Sequence, residues 1–195
     1  MIELPPELRA MRILIVDDEP AVISLLEDIL RGQGYCQFKA ITDSRQALAE
    51  YQTFLPHLIL LDLRMPHLDG FGILKQLRVT VPAEVFLPVL VLTSDVTDEF
   101  KIRALTMGAT DFLTKPFDLA EVALRIRNLL QSRRVHDLLA DQNRMLDEKV
   151  RERTKELRQA LTELELVEVR QPTAGTLAVP RDDLATSVRD HRSPG

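Results

Sequence analysis

The sequence has a single cysteine, Cys36, among 195 residues, so no disulfide can form within the chain. That fits a reducing compartment. Basic residues are not in excess either: 25 Lys and Arg stand against 30 Asp and Glu, for a net charge of -5. Nucleic-acid phosphates are held by basic surface, so this balance argues against a general nucleic-acid binder. With no helix-turn-helix pattern and no basic stripe, direct DNA binding is not expected. No apolar run approaches the roughly 18 residues of a membrane span. The opening MIELPPELRAMR lacks the basic start and apolar middle of a signal peptide. These absences lead to the expectation of a soluble, cytoplasmic protein without membrane association.

The most informative stretch is His57 to Gly70, HLILLDLRMPHLDG. Leu58 to Leu61 form an apolar run without polar alternation, as in a strand buried on both faces of a parallel sheet. Asp62 stands where the run ends, and Met65-Pro66 and Asp69-Gly70 turn the chain. Ligands of parallel sheets sit beyond the carboxyl ends of the strands, so a rigid strand delivers Asp62 to a reactive edge. Taken alone, Asp62 reads more readily as a cap for the next turn, and the residues that accompany it elsewhere in the chain reverse that preference.

The rest of the chain repeats this alternation. Met11 to Val16 is a buried strand ending in Asp17-Asp18-Glu19. Pro20 opens a helix with Val22, Leu25, Leu26, Ile29 and Leu30 at helical spacing, closed by Gly32 and Gly34. Cys36 to Ile41 is a short strand, and the helix after Thr42-Asp43-Ser44 carries Ala47, Leu48 and Tyr51. After Gly70 comes a helix with Phe71, Ile73, Leu74 and Leu77 inside. Pro88 to Thr93 is a fourth strand, ending in Thr93-Ser94. Asp98 to Met107 is helical, with Phe100, Ile102, Ala104 and Leu105 as candidates for burial. Phe112 to Thr114 is a brief fifth strand, followed by Lys115-Pro116-Phe117. The fold class expected is α/β, a five-stranded doubly wound parallel sheet with right-handed crossovers.

In such a sheet the strand ends share one edge, which gathers Asp17, Asp18, Asp62, Thr93 and Lys115. Three carboxylates repel one another unless a cation joins them, and oxygen ligands of this kind suit Mg²⁺. A hydroxyl and an ammonium are partners for phosphoryl oxygens, which makes Thr93 and Lys115 the candidate phosphate-contacting residues. The chemistry indicated is attack by Asp62 on a phosphoryl group to give an acyl phosphate.

Met11 to about Leu130 resembles a response-regulator receiver domain of two-component signalling, a flavodoxin-like fold. The resemblance rests on Asp17-Asp18, on Asp62 with Met65-Pro66 and Asp69-Gly70, on Thr93, and on Lys115-Pro116-Phe117. It implies that Asp62 is the phospho-acceptor of a histidine kinase. It also implies that Asp17, Asp18, Asp62 and the backbone carbonyl of Arg64 bind Mg²⁺, and that the Lys115-Pro116 bond is cis. The switch pair implied is Thr93 with Phe112, where the family often has Tyr. Phe112 lacks the hydroxyl, so its packing can change without gaining a hydrogen bond. Ser94 is small and leaves the site open. Arg64 and Asp95 fall where family members vary, and are expected to pair and tune the lifetime of the phosphate. No enzymatic activity is expected beyond self-phosphorylation and autodephosphorylation at Asp62.

From Asp118 to about Val169 there is no proline or glycine. One heptad register places Leu129, His136, Asn143, Val150, Leu157 and Leu164 at one seam position. The other seam position takes Ser132, Leu139, Leu146, Arg153, Ala160 and Val167. This gives the expectation of a parallel homodimeric coiled coil, its register set by Asn143. VRERTKEL, from Val150, resembles signalling helices that join receivers to downstream catalytic domains. His136-Asp137 has no metal-binding companions, and His57 and His67 are taken as turn or surface residues. The organisation expected is a loose arm over 1–10, a receiver over 11–130, a coiled-coil helix over 131–170 and a disordered tail over 171–195. An unknown downstream protein would take the output. The alternatives are the front part of a larger regulator whose output enzyme (a cyclic-dinucleotide phosphodiesterase, cyclase or kinase) is missing, and a phosphate sink or structural dimer.

Overall fold

A computed structural model describes the backbone of residues 4–94 and 97–170, without the side chains of Asp98 and residues 164–170. The expected tail over 171–195, Asp95, and the seam side chains Leu164 and Val167 therefore lie outside the described residues. Five parallel strands form one sheet in the order β2-β1-β3-β4-β5. They are β1 (Arg12–Val16), β2 (Gln37–Ile41), β3 (Leu58–Asp62), β4 (Val89–Thr93) and β5 (Asp111–Thr114). Helices α1 (Pro6–Arg9), α2 (Pro20–Gln33), α3 (Ala47–Phe54), α4 (Gly70–Thr80), α5 (Asp98–Thr106) and α6 (Leu119–Arg170) complete the order. The chain divides into two compact units, Met1–Met145 and Leu146–Gly195.

The period of two along each strand sends alternate side chains to opposite layers. Ile13, Ile15, Leu58, Leu60, Leu90, Leu92 and Leu113 face one layer, with Leu26 and Leu30 of α2 and Val122, Ile126, Leu129 and Leu130 of α6. Leu14, Val16, Ile59, Leu61, Val89 and Val91 face the other, with α3 and α4 and with Ala104 of α5. β1, β3 and β4 are thus covered on both sides, which is why their sequences are continuously apolar. The helix ends follow local chemistry. Gly34 closes α2 at φ 89°, a left-handed conformation that glycine adopts without a Cβ penalty. Asp69 caps α4, its Oδ1 accepting the Gly72 amide at 2.7 Å.

Two expectations are corrected. The segment over 4–10 is not a loose arm: Leu4 and Leu8 are buried in the first core layer beside Met11. Its Pro5-Pro6 pair starts a short helix, with Pro at the first helical position where no amide bond is lost. On α5, Ala104 is buried and Phe100 half-buried, but Ile102 and Leu105 are exposed. A helix lying on one layer can bury only one stripe, and Ala104 takes it. No helix among the described residues is long and apolar enough to cross a membrane.

Candidate functional site

The sheet order reverses at β1, whose neighbours are β2 and β3, and such a switch point opens a crevice at the carboxyl edge. The ends of β1 and β3 supply the acids there. Asp17, Asp18 and Asp62 each offer a carboxylate oxygen, and these oxygens lie within 4.8 Å of one another. Asp17 and Asp62 are buried, and Asp18 is half-buried. Three carboxylates that close form a donor set fit for a hard divalent cation, and fit Mg²⁺ in particular.

Lys115 reaches into this cluster from the end of β5. Its Nζ lies 2.8 Å from Asp17 Oδ2, 3.3 Å from Glu19 Oε1 and 3.5 Å from Asp62 Oδ2. The Lys115-Pro116 peptide is cis, as the resemblance implied. The Lys115 amide donates to the Thr93 carbonyl at 2.7 Å, which ties the end of β5 to the end of β4. Thr93 is buried one residue beyond Leu92, the register partner of Asp62.

Burial dominates the electrostatics. It raises the pKa of Asp62 to about 6; Lys115 and the amides of Arg64 and Leu63 oppose the rise, and Asp17 adds to it. Asp17 is likewise raised by burial, against its bonds from Lys115 and from the Glu19 amide, the latter at 2.9 Å. Burial alone would lower the pKa of Lys115, but its hydrogen bond to Asp17 and the charges of Asp62 and Asp17 raise it. Lys115 therefore stays an ammonium, held by the acids it neutralises.

The other predicted residues also have places. Arg64 follows Asp62 by two positions, and its guanidinium carbon lies 6.0 Å from the Phe100 ring centroid. Its expected partner Asp95 is outside the described residues. Phe112 is half-buried on β5 opposite Val91, with Lys101 Nζ 5.2 Å from its ring centroid. Ser94 is exposed. His57 is not simply a surface residue: it is half-buried, and its Nδ1 accepts the Arg12 amide at 2.8 Å, joining β1 to the start of β3.

Three contributors escaped sequence reasoning. Glu19 is a third partner of Lys115, and only the turn after Asp17 brings it there. Ser44 is buried, donates to the Pro66 carbonyl at 2.9 Å and accepts the Leu68 amide at 3.3 Å, so it tethers the loop after Asp62. Gly70 passes so close to β3 that a Cβ would fall 2.5 Å from the Asp62 carbonyl oxygen and 2.8 Å from Leu63 Cα. The Asp69-Gly70 pair was legible as a turn, but the close approach was not.

A doubly wound parallel sheet with an acid cluster and a lysine at its switch point defines an α/β receiver of the flavodoxin-like class. The chain belongs to the response regulator receiver domain family, whose model matches residues 13–127. It is 41% identical over 121 residues to the DNA-binding dual master transcriptional regulator RpaA of Synechocystis, a match over 62% of this chain and 49% of RpaA. It is 38% identical over 120 residues to the alkaline phosphatase synthesis transcriptional regulatory protein PhoP of Bacillus subtilis, over 62% of this chain and 48% of PhoP. This chain thus spans about half the length of these curated relatives. Among solved structures, a putative response regulator from Chloroflexus aurantiacus is 34% identical with a TM-score of 0.58, over 63% of this chain and 98% of its own.

Proposed function

We propose that this protein accepts a phosphoryl group on Asp62 from a histidine kinase and signals by a change of conformation and assembly. The observation that carries the proposal is the triangle of Lys115 Nζ with Asp17 at 2.8 Å and Asp62 at 3.5 Å, inside the acid cluster. Family membership supports it, since receiver domains of this kind are phosphorylated by histidine kinases.

In the transfer, an Asp62 carboxylate oxygen attacks phosphorus. The bond from phosphorus to the donor imidazole breaks, and the imidazole nitrogen leaves with the electron pair. Burial of Asp62 excludes water from the attacking face. Asp17, Asp18, Asp62 and the Arg64 carbonyl would hold Mg²⁺, which when bound offsets negative charge on the phosphoryl oxygens. Lys115 loses part of its contact with Asp62 and gains a phosphoryl oxygen. Thr93, buried at the adjacent strand end, donates its hydroxyl to another. Phe112, half-buried, can then pack more deeply, which alters the face formed by α5, β5 and α6. The chain's own chemistry is confined to gaining and losing the phosphoryl group. The output goes to a downstream protein through α6, which pairs with a second copy in parallel.

The test is analytical ultracentrifugation of the wild type and Asp62→Asn with Mg²⁺, with and without beryllofluoride as an acyl-phosphate mimic. A mimic-dependent change of assembly in the wild type alone supports the proposal. No binding of the mimic to the wild type rejects it.

A further inference from the structure

The connection between β2 and α3 touches both acid-bearing strand ends. The carbonyl of Ile41, the last residue of β2, accepts the Asp17 amide at 3.3 Å. Further along the connection Ser44 opens a short 3₁₀ turn, capped by Asp43, whose Oδ1 accepts the Arg45 amide at 3.0 Å. Ser44 is 1% exposed, and its hydroxyl reaches across to the loop that follows Asp62. There it donates to the Pro66 carbonyl at 2.9 Å and accepts the Leu68 amide at 3.3 Å. One buried hydroxyl thus spends a donor and an acceptor on the two flanks of a single residue.

That residue is His67, which sits at φ 70°. The Leu68 amide also donates to the Pro66 carbonyl at 2.9 Å, a bond that closes around His67. Such a bond about a central residue at φ near +75° is the rare, strained form of the γ-turn. The His67 side chain is exposed, so burial of its own atoms does not hold it there. A strained backbone of this kind persists where its surroundings over-determine it, and Ser44 supplies two of the fixing bonds.

The loop so fixed is the one that shapes the acid cluster. Its amides at Leu63 and Arg64 donate to the Asp62 carboxylate. Its base is closed by the Gly70 amide, which donates to the Leu63 carbonyl at 3.0 Å. Gly70 therefore fixes the base of the loop and Ser44 its far side, with Arg64 between them.

We propose that Ser44 is a positioning residue of the phosphorylation site: its hydroxyl holds the turn at His67 and thereby sets the Asp62 carboxylate and the Arg64 carbonyl for Mg²⁺. This rests on the metal site of the proposed function and adds a residue outside the acid cluster on which that site depends. Without the hydroxyl, His67 relaxes toward negative φ and the loop carries the Arg64 carbonyl away from the acids.

Calorimetric Mg²⁺ titration of the full chain tests this, with urea denaturation of each variant alongside. Ser44→Ala is expected to bind Mg²⁺ about 3–10-fold more weakly than the wild type, the scale of one hydrogen bond. Ser44→Ala combined with His67→Gly is expected to recover most of that loss, because glycine takes positive φ without a Cβ penalty and needs no clamp. A lowered urea midpoint for Ser44→Ala with Mg²⁺ affinity equal to the wild type marks a role in stability alone and overturns the proposal. So does a weakened affinity that His67→Gly fails to restore, since the damage then lies outside the turn. His67→Val serves if Ser44→Ala does not fold. The position is exposed, and a β-branched residue resists positive φ, so the turn opens with Ser44 still in place. His67→Val is expected to weaken Mg²⁺ binding to a similar degree, and unchanged binding overturns the proposal. A wild type that takes up neither Mg²⁺ nor beryllofluoride overturns the proposed function and this inference with it. A wild type that binds both, matched by Ser44→Ala, overturns this inference alone.

Discussion

At the scale of the residue, the site stores its free energy in burial. A carboxyl that titrates near 6 in the fold and near 4 in the open chain stabilises the fold fully at low pH. That stabilisation is lost as pH rises through about 6, because Asp62 must then ionise in a buried place. The loss amounts to about 3 kcal/mol at 1.4 kcal/mol per pH unit. Metal-free Asp62→Asn is therefore expected to gain stability over the wild type between pH 4 and pH 7, as followed by urea denaturation. Adding Mg²⁺ should narrow the gap at pH 7. A difference independent of pH would contradict the burial argument. His57 works in the opposite sense. Burial first, then the nearby Arg12 and Arg133, lower its pKa, against a small rise from Asp137. Its stabilisation is thus complete above about 6.5 and is lost on acidification. His57→Asn keeps an acceptor for the Arg12 amide and removes the proton. The variant should lose less stability than the wild type between pH 7 and pH 5, measured by thermal melting at each pH.

At the scale of the element, close packing sets the tolerance to change. Gly70 opens α4 against the backbone of β3, so Gly70→Ala must push the two apart. The expected cost is about 1–3 kcal/mol, with a matching displacement of Asp62 seen as weaker Mg²⁺ binding by titration. A variant that melts like the wild type would show that the helix start can shift freely. The amino-terminal segment offers a second case. Leu8 is buried among Leu4, Met11 and the α6 residues of the first core layer. Leu8→Ala should cost about 2–5 kcal/mol, as for other buried leucines. A loss under half a kcal/mol in chemical denaturation would return the segment to the status of a loose arm.

At the scale of the whole molecule, the first compact unit runs to Met145, beyond the boundary near 130 that the resemblance implied. The turns of α6 after Leu130 are held by Phe86 on His136, by Arg133 on the Phe86 carbonyl and by Arg134 on Glu7. A fragment ending at 145 is expected to unfold at the temperature of the intact receiver. One ending at 130 should melt several degrees lower, since each kcal/mol lost is worth about 2–4 °C in a domain of this size. Equal melting of the two fragments in calorimetry would show that these contacts add nothing.

Alternation of apolar runs with helical periods was enough to read five strands, their parallel order of helices, and the edge where Asp17, Asp18, Asp62, Thr93 and Lys115 gather. Those residues were legible because each stands at the end of a short buried run, and strand ends in a parallel sheet converge by topology alone. Glu19, Ser44 and the close approach of Gly70 were not legible, because each depends on how a turn folds back onto a neighbour distant in sequence or on the far side of a loop. The same holds for α6. Its length and helicity follow from an unbroken run without proline or glycine. Which of its stripes is free follows from where the receiver touches it, since Leu129 and His136 are spent on the body and Val135 and Leu139 are not. Local periodicity determines which residues can share a face; only the packed neighbours decide which face remains to be covered.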